Sequence, residues 1–177
     1  MKLLFAYALA IGLAIVAPVA NAASVLSPAD RTAITTTLND VIKQAEAGAI
    51  KDVDPVITTL KGVAEKGKVI LGALAAQDAA NRKVLEFVAA NVDKIYRETL
   101  ESIETNWHKG GAIKAAGLGS IYEKIEERGA ASAAINMVVH PVTAILALQS
   151  YKKDQKKAHL EQVVTELKEL IDYMKNL

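Results

Sequence analysis

The chain has 177 residues, about half of them hydrophobic but only 5% aromatic, with no cysteine and 21 Lys+Arg against 20 Asp+Glu. A disordered tail would be poorer in apolar residues, and disulfide miniproteins, thiol enzymes, zinc ribbons and c-type haem attachment all require cysteine. A formal net charge of +1 also lacks the basic excess of a nucleic-acid binder, so no nucleic-acid partner is expected.

Residues 1–22, MKLLFAYALAIGLAIVAPVANA, read as a secretory signal peptide. Lys2 is a short positive start, Leu3 to Val16 is apolar, and Pro18 precedes the small-residue triplet Ala20-Asn21-Ala22. Cleavage near Ala22-Ala23 is therefore expected, because the apolar stretch before Pro18 is shorter than the ~20 residues of a spanning helix. The mature part, 23–177, then carries 20 basic and 20 acidic residues over 155 positions. That length suits a single domain, and burial alone can hold it without disulfides in an oxidising compartment. A periplasmic or secreted location is the corresponding expectation.

Ser27-Pro28-Ala29-Asp30 is a helix start: serine caps, proline fits the first turn, and the aspartate complements the dipole. Ile34, Leu38, Val41, Ile42 and Ala45 continue at helical spacing up to Gly48. Asp54-Pro55 opens a second helix over 54–76, kinked or tightly packed where Gly62, Gly67 and Gly72 fall. Asp78 is placed to cap a long third helix to about Trp107, with Leu85, Val88, Val92, Ile95, Leu100, Ile103 and Trp107 as its apolar stripe. The stretch 108–120, HKGGAIKAAGLGS, holds four glycines and reads as a loop. Ser120 and Glu123 form a capping-box pattern for a short helix to Arg128.

Residues 129–150 carry no formal charge and predict a buried core element. Proline disfavours the helical conformation, so a kink or break is expected at His140-Pro141, with a new helix to about Lys153. Stable membrane insertion is not expected, since Asn136, His140, Pro141 and Gln149 interrupt the apolar run. After the KKDQKK linker, Leu160, Val163, Val164, Leu167, Leu170, Ile171 and Met174 form a regular amphipathic stripe, with Glu161, Glu166, Glu169 and Asp172 off it. The fold class is all-α, an antiparallel bundle of about five or six helices following the cleaved signal peptide.

Chemistry concentrates on histidine. His108 follows Trp107 at a helix end and precedes Lys109, and His140 stands at the expected break. Trp107, His108, Lys109 and His140 are the candidate ligand-binding residues. His108 and His140 are the candidate metal or haem ligands if the fold unites them. Simple helix capping is the structural alternative for both, and His159 reads as a surface residue. Exposed glycine amides with Lys109 and Lys114 are features of an anion site, but the pattern is neither a P-loop nor a dinucleotide fingerprint, and the stretch reads as a flexible connector. No catalytic constellation exists, so an enzyme is not expected. The expected function is an exported, non-enzymatic protein that binds a partner protein or small molecule. The alternative is a metal or haem carrier using His108 and His140. No cofactor is named by the sequence.

Overall fold

The computed structural model describes residues 25–48 and 50–177. The signal-peptide reading of 1–22 lies outside the described residues. Among the described residues the regular secondary structure is entirely helical, in eight α-helices and one π-helical turn, three of the α-helices being no longer than five residues.

Helix α1 (Pro28–Glu46) begins as its capping residues dictate: the Asp30 amide donates to Ser27 Oγ at 3.1 Å. Helix α2 (Val53–Gln77) starts one residue ahead of the expected Asp54, because Asp52 is the side chain that caps, accepting from the Asp54 amide. Helix α3 (Arg82–Ile95) stops well short of Trp107. Its apolar stripe continues in register past Ile95, but the backbone breaks and restarts at Thr99. That residue forms a reciprocal capping box with Ser102 and opens α4 (Leu100–Ile103). A π-helical turn (Glu104–His108) comes next, and the expected 108–120 loop holds α5 (Gly111–Ala115) and the start of α6 (Gly119–Tyr122). Ser120 lies inside α6 and caps nothing; no regular helix reaches Arg128.

The main departure is α7 (Ala130–Asp154), which runs through Pro141 without a break. Proline removes one N–H, leaving the Met137 carbonyl without its usual donor four residues on. Tertiary packing compensates. Every residue from Met137 to Leu148 is buried, and α7 packs against α2, α3, α4 and α8. A turn of two residues, with Gln155 left-handed at φ 55°, leads to α8 (Lys157–Met174), which also packs on α1.

Helix α7 is long and apolar enough to cross a membrane, yet 89% of its apolar window is buried inside the protein. That suits a core helix, and its side chains carry much of the stability. Truncating Ile145 or Leu148, both essentially inaccessible, would each cost about 2–5 kcal/mol.

Candidate metal centre

His108 is placed by the π-helical turn, whose mark is the Lys109 amide donating to the Glu104 carbonyl at 3.0 Å. One extra residue per turn rotates the side chains beyond it about the helix axis, and such turns recur at functional sites. The turn is anchored from beneath. The Trp107 ring is 3% exposed and stacks on Phe87 at 6.1 Å, while its indole N–H donates to Glu98 Oε1 at 3.2 Å. Asn106 donates to the same carboxylate. Burial alone would raise the Glu98 pKa, but hydrogen bonds from Ser102, Asn106 and Trp107 hold it below the ordinary value. From above, the Tyr122 hydroxyl donates to the His108 carbonyl at 3.4 Å. Its ring lies against left-handed Gly110 (φ 71°), where any Cβ would collide with it.

His140 sits mid-helix, one turn from Thr143 on the same face of α7. It does not cap a new helix, since none begins there. Its ring meets that of His108 edge-on, with centroids 4.9 Å apart, and lies 5.4 Å from Tyr173 of α8. The His140 Nδ1–H donates to the Glu166 carboxylate oxygen Oε2 at 2.8 Å. Glu169 Oε2 stands 3.7 Å from the same nitrogen.

Hydrogen placement on His108 is set by its partner. The Thr143 hydroxyl donates back to the Val139 carbonyl at 2.9 Å, so it accepts from His108 Nε2 at 3.0 Å. His108 is thus the Nε2–H tautomer. Burial pushes its pKa below the ordinary histidine value, outweighing the nearby Glu166, and keeps the ring neutral.

His108, His140 and Glu166 each offer one donor atom, and these atoms lie within 4.8 Å of one another. His108 Nε2 is 3.6 Å from Glu166 Oε2. Ligand atoms on a tetrahedral ion with bonds near 2.0–2.1 Å stand roughly 3.4 Å apart. The observed 2.8 and 3.6 Å lie on either side of that spacing, and all three donor atoms lie within 4.8 Å, so side-chain adjustment would bring them onto one ion. The side chains of His140 and Glu166 are 3% and 10% exposed.

A pocket of about 340 Å³ opens over the two rings, walled by Tyr122, Asn136, Glu169 and Tyr173 among others. Glu166 lies off its wall. Burial raises the Tyr122 and Tyr173 pKa values, so both present neutral hydroxyls. Of the residues singled out from sequence, Trp107, His108 and His140 share this pocket. Lys109 does not line it and pairs with Glu104 at 3.2 Å. Lys114 pairs with Glu123. His159 is turned to Asp154 at 3.2 Å.

Sequence reasoning missed Glu166, assigning it to the solvated face of the last helix; it is buried. A signal was present in α7. Its polar residues Ser132, Asn136, His140 and Thr143 recur at helical spacing, drawing a polar stripe through an otherwise apolar helix. The partners for that stripe lie far along the chain, and only packing brings them in. Comparison of the chain with protein-family models, curated proteins and solved structures finds no match.

Proposed function

We propose that the mature chain is an exported antiparallel bundle that binds a divalent transition-metal ion of the Zn²⁺ type through His108, His140 and Glu166. The observation that carries this reading is the convergence of three donor groups from three separate elements, with donor atoms within 4.8 Å, beneath a pocket. Two imidazoles and a carboxylate suit zinc, iron or nickel better than calcium or magnesium, which favour all-oxygen shells. His108 is already neutral, so binding need not first remove a proton from it. To ligate, each ring moves its hydrogen to the opposite nitrogen: from His108 Nε2 to Nδ1, and from His140 Nδ1 to Nε2.

The haem version of the reading is less well supported. A haem held by both histidines needs them on opposite sides of a macrocycle, and rings in edge contact at 4.9 Å leave no layer between them.

The test is calorimetric titration of the purified protein with Zn²⁺ beside a His108→Ala/His140→Ala double variant. One ion per chain is expected, with binding abolished in the double variant. Equal binding by the double variant, or none by the parent protein, overturns the proposal.

A further inference from the structure

Three ligands leave a fourth position unassigned, and its occupant decides what the site is for. Water there makes an open site of the catalytic kind, while a fourth side chain makes a closed one. The identity of that occupant rests on the three-residue metal site being real. Glu169 is one helical turn beyond Glu166 on α8, so both carboxylates project toward the same part of α7. Their Oε2 atoms approach the same nitrogen, His140 Nδ1, at 2.8 and 3.7 Å. Yet the two residues differ in environment. Glu166 is buried behind the rings, whereas the Glu169 side chain is 55% exposed and lines the pocket. Among the described residues Glu169 makes no ion pair except with His140, so nothing holds it away. Glu127 lines the same pocket, but no ion-pair contact brings it to the rings.

Charge argues in the same direction. A divalent ion with two neutral imidazoles and the Glu166 carboxylate would leave one uncompensated positive charge against the uncharged core of α7. Burying such a charge is costly, and a second carboxylate cancels it.

We propose that Glu169 swings in from the pocket wall as the fourth ligand and closes the centre, so that the chain carries an ion and does not activate water on it. The exposed side chain is also the moving part by which the ion gains and leaves the site. Glu166, largely buried, stays in place.

The experiment compares the purified full-length protein with Glu169→Gln and with the His108→Ala/His140→Ala variant, using Zn²⁺ for affinity and Co²⁺ as a visible probe. Glu169→Gln is expected to keep one ion per chain but bind it at least about 10-fold more weakly. Azide is expected to leave the Co²⁺ spectrum of the parent protein unchanged and to shift that of Glu169→Gln, whose fourth position then holds water. Parent-like affinity in Glu169→Gln, or an azide response in the parent protein, overturns the fourth-ligand proposal while leaving three-residue binding intact. No uptake by the parent protein removes both readings. Glu169 is exposed, so the variant's helical circular dichroism is expected to match the parent's.

Discussion

Gly67 of α2 lies directly against the backbone of Met137 in α7: a Cβ added at Gly67 would stand 2.5 Å from the Met137 carbonyl oxygen. That oxygen is the one Pro141 cannot bond, for want of an N–H. A close approach of α2 and α7 thus falls where the helix ladder is interrupted, one turn before His140. Gly62 and Gly72 of the same helix have nothing within 4 Å of an added Cβ. Gly67→Ala is therefore expected to destabilise the protein by about 1–3 kcal/mol through overpacking. Gly62→Ala and Gly72→Ala are expected to stabilise it by about 0.4–1 kcal/mol, since both sit in ordinary helix. Urea unfolding of the three variants checks the contrast, and equal effects at all three sites would contradict it.

Tyr96, just past the end of α3, gives a second test. Its hydroxyl oxygen is buried without a hydrogen-bond partner. Burial, followed by the nearby Glu65 and Asp93, pushes its pKa up to about 12 from 10.0. A buried unpaired hydroxyl is a cost, so Tyr96→Phe is expected to raise stability by about 1 kcal/mol near neutral pH. The pH dependence has a definite sign. Between pH 10 and 12 the unfolded chain loses this proton while the folded chain keeps it, so stability falls as pH rises through that window. The Phe variant lacks the group, and its melting temperature should decline less there than the parent's.

The legible parts of the fold were those set by nearby residues. Ser27-Pro28 marks α1 because capping is a contact over three positions, and the last helix is marked by its regular apolar spacing. The break between α3 and α4 is hidden because the stripe from Leu85 to Ile103 stays in phase while the hydrogen bonding beneath it does not. Only the Thr99/Ser102 box signals it. At Pro141 local preference was overruled by packing on several neighbouring helices. The site was half visible. His108 and His140 could be picked out by chemical type, but their bonding partners Thr143 and Glu166 stand 35 and 26 residues away. Contacts at such separations depend on the register in which helices pack, which periodicity does not specify.

The His140–Glu166 bond should behave as a coupled pair in the metal-free protein. Both side chains are buried, so removing either leaves the other with only a longer contact, Glu166 to His108 at 3.6 Å or His140 to Glu169 at 3.7 Å. His140→Phe and Glu166→Leu are each expected to cost about 3 kcal/mol. The double variant should cost less than the two singles together, with a coupling of about 1.5–3 kcal/mol. Chemical denaturation in the presence of a chelator measures this. Strict additivity would show that the pair contributes nothing as a pair.

The turn from α7 to α8 is where acid should be felt. Asp154 Oδ1 accepts from the Lys156 amide at 3.0 Å, and Oδ2 faces His159 at 3.2 Å and Lys156 Nζ at 3.1 Å. The backbone hydrogen bond from Lys156 is the largest cause holding the Asp154 pKa at about 2, below its usual 3.8; the Lys156 and His159 side chains add to it. A depressed carboxylate pKa stabilises the fold above the unfolded value and ceases to do so as pH falls through the folded one. Asp154→Asn keeps an oxygen for the Lys156 amide but removes the charge. Its melting temperature should therefore lie below the parent's at pH 7, with the gap closing as pH falls from about 4 towards 2. Because the residue is solvent-accessible, 1 M salt should narrow the gap at pH 7 as well. A gap that stays constant through both titrations would mean that the turn depends on the oxygen's shape and not on its charge.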